Sequence, residues 1–249
     1  MNSCKRIRII SCFILMFGVF LSCGASHKLV DDIIHKDENF NYQNLKNNGL
    51  IVGGLSSNVI ELSRKNRLEY SSTFSQILIE KLKDASLIRM TNPTQLIDHI
   101  GQTSYFNMME DLDTEEALSS LWADSLRAIL PDAQFILFAY IINENIVDEY
   151  HDRYVESAEG QELETEYKKT YYITVDFLLY DLFRKELVWK NSIFNKAHRT
   201  ESRTSESGCV ESCLNNIFQT ILFGEPAEIS REEVFAKIVE KFAEDIAKI

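Results

Sequence analysis

Eight consecutive residues, Phe135 to Ile142, are apolar or aromatic without one charge. A strand runs continuously apolar only when both of its faces are covered, so this segment predicts the centre of a packed sheet. Further on, the pattern alternates. Tyr171, Ile173, Val175, Phe177 and Leu179 interleave with Tyr172, Thr174, Asp176, Leu178 and Tyr180. That period of two predicts a strand with one strongly apolar face. Leu187 to Phe194 reads as its hairpin partner across Phe183-Arg184-Lys185-Glu186.

Ahead of this sheet the chain alternates strand and helix. Leu50-Ile51-Val52, closed by Gly53-Gly54, predicts a short buried strand. From Arg67, the positions Tyr70, Phe74, Ile77, Leu78 and Leu82 recur at helical spacing, and Ser86 to Met90 follows as a second strand. Thr91-Asn92-Pro93 signals a helix start and Gly101 its end. Asp113 or Thr114 is expected to cap a further helix, whose face runs through Leu118, Leu121, Trp122 and Ile129 to Pro131. Ser230 and Glu233 form a capping-box pattern ahead of Phe235, Ile238, Val239, Phe242 and Ile246, predicting an amphipathic C-terminal helix. The order predicts an α/β (α+β) fold: a mixed parallel and antiparallel sheet of about five strands with helices packed on it.

The expected organisation is a signal over residues 1–22, a flexible tether over 23–48 and one α/β domain over 49–249. Within that domain, 148–166 carries eight carboxylates and reads as a solvated hairpin loop or an extended hairpin tip. Residues 198–228 read as a variable polar segment.

Lys5, Arg6 and Arg8 precede an apolar stretch from Ile9 to Leu21 that would span roughly 20 Å as a helix, short of the ~30 Å needed to cross a bilayer. The stretch closes in Phe20-Leu21-Ser22-Cys23-Gly24. This segment resembles the signal of a bacterial lipoprotein precursor. The resemblance implies cleavage between Ser22 and Cys23, acylation of Cys23 and attachment to the bilayer through it. Ser22 and Gly24 fit the usual lipobox, whereas Phe20 and Leu21 depart from its Leu and small residue. With two or more acyl chains such an anchor holds stably. The absence of Asp at position 24 implies the outer membrane, facing the periplasm.

Leu178-Leu179-Tyr180-Asp181 followed by Leu187-Val188-Trp189 resembles the small α/β domain of the TolB amino-terminal region and of CsgG- and LpoB-like envelope lipoproteins. The resemblance covers about residues 49–249. It departs at the turn, where the family commonly has glycine and this chain has Arg184-Lys185-Glu186. A shared fold does not carry function with it.

With 26 basic against 38 acidic residues the net charge is −12, and loss of Lys5, Arg6 and Arg8 takes it to −15. That balance, with no basic stripe, argues against a nucleic-acid partner. After processing, Cys209 and Cys213 are the remaining pair. An oxidising envelope favours a disulfide between them, but a three-residue spacing inside a helix orients the sulfurs poorly, so a bond requires a non-helical turn. With His198 alone nearby they fall short of a zinc set.

No phosphate loop, dinucleotide fingerprint, nucleophile elbow or H-E-x-x-H helix is present, and no catalytic residue, metal or cofactor is implied. His151-Asp152 with Glu149 and Glu156 read as a solvated face rather than a cation site, since a hard cation needs converging oxygens. Trp122 and Trp189 are expected in the core, and His99 at the surface or a cap. The leading expectation is a membrane-anchored, non-enzymatic module that binds an envelope protein. The alternatives are a secretion-pore subunit resembling CsgG and a hydrolase or cation-dependent enzyme using the acidic segment.

Overall fold

The computed structural model describes residues 26–59, 62–82, 84–157, 160–206 and 229–249. The strands are β1 (Ser26–Lys36), β2 (Leu50–Ser57), β3 (Met90–Thr91), β4 (Phe135–Ser157), β5 (Gly160–Asp181) and β6 (Glu186–Glu206). The helices are α1 (Tyr42–Asn48), α2 (Arg64–Lys81), α3 (Pro93–Ile100), α4 (Gln102–Glu115), α5 (Ser120–Ile129) and α6 (Arg231–Ile246). Among the described residues the strands form one mixed sheet in the order β1-β6-β5-β4-β2-β3. The chain groups into two compact units. The larger comprises the described residues of Lys28–Val147, Tyr171–Lys196 and Ser230–Ile249, and the smaller the described residues 26–27, 148–157, 160–170, 197–206 and 229.

In the larger unit β2 runs parallel to both β3 and β4, with Leu50 opposite Met90 on one side and Phe135 on the other. The strand expected to stop at Gly53-Gly54 instead continues to Ser57 through a bulge between Val52 and Gly54. The glycines serve close approach rather than termination. A Cβ at Gly53 would sit 2.2 Å from the Phe138 ring, and one at Gly54, where φ is +126°, 2.5 Å from the Tyr105 hydroxyl. Missing side chains therefore let an aromatic ring and a hydroxyl close on the backbone.

The expectation that Phe135–Ile142 is covered on both sides is met. Even-numbered Ile136, Phe138, Tyr140, Leu178 and Tyr180 pack with Tyr105, Phe106, Met109 and Leu112 of α4 and Leu126 of α5. Odd-numbered Phe177 and Trp189 face α6, with Phe177 and Phe242 rings stacked at 4.1 Å and Trp189 and Phe242 at 5.1 Å. Each such fully buried side chain contributes roughly 1.5–3 kcal/mol.

The helix signals at Asn92 and Ser230 hold. Asn92 and Gln95 exchange hydrogen bonds at 2.9 and 3.0 Å, with Pro93 in the first turn, and Ser230 Oγ accepts from the Glu233 N–H. The β5–β6 turn works without glycine because Lys185 itself adopts φ of 58°. Asp181 Oδ1 holds that turn by accepting from the N–H groups of Phe183 and Arg184.

Four further expectations are corrected. The stretch read as a tether contains β1 and α1, and Phe40, Tyr42 and Leu45 are buried. This adds the sixth strand where about five are expected. The strand placed at Ser86–Met90 is a 3-10 turn over Ala85–Leu87 followed by β3. Asp113 and Thr114 lie inside α4 and cap nothing; Ser119 caps α5 by accepting from the Trp122 N–H. Finally, the variable segment expected from 198 begins as strand, since β6 runs to Glu206, and 207–228 lies outside the described residues.

In the smaller unit, Asp148–Ser157 and Gly160–Thr170 are strand, so the acidic segment is an extended hairpin rather than a loop. Its cross-strand pairs fix an antiparallel register: Arg153 with Glu164 at 2.7 Å, Lys168 with Glu149 at 3.2 Å, and the Tyr167 hydroxyl on Asp148 at 2.8 Å. The paired positions sum to nearly the same number, as an antiparallel ladder requires.

Candidate functional site

Ser22, Cys23, Cys209 and Cys213 lie outside the described residues. His151, Asp152 and Glu156 are exposed, and His151 and Asp152, adjacent on a strand, project to opposite faces. Among the described residues no group of three or more His, Cys, Asp or Glu is placed to hold a metal. His99 is exposed. Trp189 is fully buried, while Trp122 is partly buried with its indole N–H donating to Asp111 at 2.7 Å. No described helix is long and apolar enough to cross a membrane.

Three features of the larger unit carry chemistry that the sequence did not single out. The first is a cleft of about 130 Å³ among α2, α6 and the sheet, walled by Leu55, Ile141, Ile173 and Phe235. At its polar end Glu144, with a side chain 8 % exposed, accepts from the Tyr171 hydroxyl at 2.5 Å and pairs with Arg231 Nε at 3.1 Å. Burial, then the Glu144 hydrogen bond and charge, hold the Tyr171 phenol well above its ordinary range. The phenol is thus fixed as a neutral donor and the carboxylate is occupied by two donors. An apolar cleft with a neutralised polar end suits an apolar group better than proton transfer.

The same physics predicts an alkaline limit. Burial also pushes Tyr42 and Tyr140 up to about 12. A phenol whose folded value exceeds its unfolded value of about 10 keeps its full contribution below pH 10 and loses it as pH rises toward the folded value. Unfolding free energy should therefore fall steadily above about pH 10. Denaturant unfolding across that range, with Tyr171→Phe showing a shallower decline, checks this; an unchanged slope in that variant would exclude Tyr171 as a source.

The second feature is a polar lock. Arg67 on α2 is buried, with Nη2 2.6 Å from Asp113 Oδ2 on α4 and Nη1 2.9 Å from Ser56 Oγ on β2. The Ser56 hydroxyl also donates to Asp113, and the Tyr140 hydroxyl donates to the Asp113 carbonyl at 3.3 Å. Every member spans two elements, so the cluster positions elements rather than substrate.

The third is β1. It ends the sheet, with β6 on one side and no strand on the other among the described residues. Every residue from Lys28 to Lys36 is exposed, including Leu29 at 36 %, Val30 and Ile33 at 47 % and Ile34 at 55 %. A long edge strand presents unpaired backbone groups as a template for another strand, and here exposed apolar residues alternate with the charges of Lys28, Asp31, Asp32 and Lys36. Its signal, the doublets Leu29-Val30 and Ile33-Ile34 around two aspartates, is present in the sequence but sits in a stretch whose polar composition hides it.

No protein-family model and no curated protein matches the chain. Solved structures with some likeness include the PelC dodecamer from Paraburkholderia phytofirmans, at 11 % identity and TM-score 0.37, covering 89 % of this chain and 98 % of that one. They also include the hypothetical protein CT253 from Chlamydia trachomatis, at 10 % identity and TM-score 0.35, covering 81 % and 99 %. The lipoprotein GNA1162 from Neisseria meningitidis is similar at 14 % identity and TM-score 0.32, covering 69 % of this chain and 95 % of its own.

Proposed function

We propose that this chain is a bacterial envelope lipoprotein, anchored through an acylated Cys23, whose α/β unit acts as a non-enzymatic binding or assembly module. The observation that carries this reading is the open β1 edge and where it starts. Ser26, its first residue, is three residues after Cys23, a reach of at most ~11 Å at 3.8 Å per step. An acyl anchor there leaves almost no tether and presents an exposed strand edge close to the bilayer. The excess of negative charge fits this arrangement, because an acidic unit is not drawn to anionic lipid and depends on the acyl chains for attachment. The outer membrane, with the unit in the periplasm, is the location that Gly24 after the cysteine favours.

Labelling cells with radioactive palmitate and fractionating them tests the anchor. The chain should carry label and sediment with outer membranes, and Cys23→Ala should lose the label and leave the membrane fraction. A Cys23→Ala chain that stays membrane-bound would overturn the reading.

A further inference from the structure

The geometry points to a specific occupant for the β1 edge: a second copy of this chain, added antiparallel so that two sheets join β1 to β1. This rests on the anchored-module reading and names its partner. A two-fold contact needs a surface complementary to itself. On β1, alternate residues share a face, so one face reads Lys28, Val30, Asp32, Ile34, Lys36. The other face carries Leu29, Asp31 and Ile33, and an axis at Val30 sets Leu29 of each copy opposite Asp31 of the other. Asp31 is held by Lys241 at 3.1 Å, whereas Lys28 and Asp32 make no ion pair among the described residues.

Charge selects the register. Centring the pair on Val30 sets Val30 against Val30 and each Lys28 against the Asp32 of the other copy, so two ion pairs flank an apolar contact. Centring it on Asp32 sets like charges opposite, which is unfavourable. Centring it on Ile34 leaves too little strand, because β1 ends at Lys36 and the Asp37 N–H is committed to the Val188 carbonyl at 2.9 Å. A strand contact is small, but two copies held by Cys23 in one bilayer have their edges at the same height and a raised effective concentration.

The test uses the full lipidated chain in detergent, with palmitate incorporation measured on the same preparation so that anchor and pairing are scored separately. Sedimentation should show a reversible dimer. Asp32→Lys should weaken it about tenfold, and the exchange Lys28→Asp with Asp32→Lys should restore it to within about threefold, since both ion pairs re-form with reversed sense. In membranes, Val30→Cys should give a doubled-mass product with a short bismaleimide above that of the unsubstituted chain. Ile34→Cys should not, because in this register the two copies of that position lie ~27 Å apart along the strand. A monomer at all concentrations, no rescue by the charge exchange, or crosslinking at Ile34→Cys in place of Val30→Cys would each overturn the proposal, whatever the palmitate result.

Discussion

A Gly53→Ala chain is expected to lose about 3 kcal/mol of unfolding free energy or more, the upper end of what overpacking a core costs. The added Cβ would lie 2.2, 2.6 and 2.8 Å from three carbons of the Phe138 ring. The room to give is small. Phe138 is fully buried and packs edge-on against Tyr180 at 6.3 Å, while the residues flanking Gly53 in the bulge, Val52 and Gly54, are paired with Leu137 and Phe138 of β4. The entropic gain of replacing glycine by alanine, ~0.4–1 kcal/mol, has the opposite sign and is too small to compensate. Urea unfolding should show a lower midpoint, with part of the loss recovered when Phe138→Leu is added to make space. An unchanged midpoint for Gly53→Ala would mean that the ring does not close over this backbone.

Gly53 also shows where local reading of the sequence stops. A glycine pair after an apolar run is the usual mark of a turn, and the ring that requires the glycine lies on β4, far along the chain. Elements whose signals are local were legible: the capped start of α3 at Asn92, the buried face of α6, and the two-sided burial of β4 over its apolar run, whereas β5, read with one apolar face, also buries Asp176, Leu178 and Tyr180 on the other. α4 was hidden for the opposite reason. Its cap, Gly101, is shared with the end of α3 and offers no side-chain hydrogen bond, and its Asp113 resembles a cap while serving a tertiary pair. β1 was read as tether because strand pairing, not composition, orders it. The cleft was equally out of reach, since Glu144, Tyr171 and Arg231 come from three separate segments and none is unusual alone.

The same limit governs Arg67, which as a residue in sequence reads only as the start of a helix. Arg67→Ala should cost about 3–5 kcal/mol, the range for removing one partner of a buried ion pair. The side chains of Arg67 and Asp113 are 7 % and 22 % exposed, so water replaces little of what is lost. The substitution deprives Asp113 of its cation and Ser56 of a donor in one step, at the point where α2, α4 and β2 meet. Replacing both charged partners, as in Arg67→Met with Asp113→Leu, should be much less damaging than Arg67→Ala alone, because no charge is then left unpaired. Thermal unfolding of the three chains separates the two contributions. If the double variant is as unstable as Arg67→Ala, the cluster works by shape rather than charge. If Arg67→Ala is nearly neutral, the lock does not hold α2 in place. Because Asn66 and Tyr70 on that helix line the cleft beside Glu144, loosening α2 should also release the Tyr171 phenol, lowering its value toward the ordinary range in an absorbance titration.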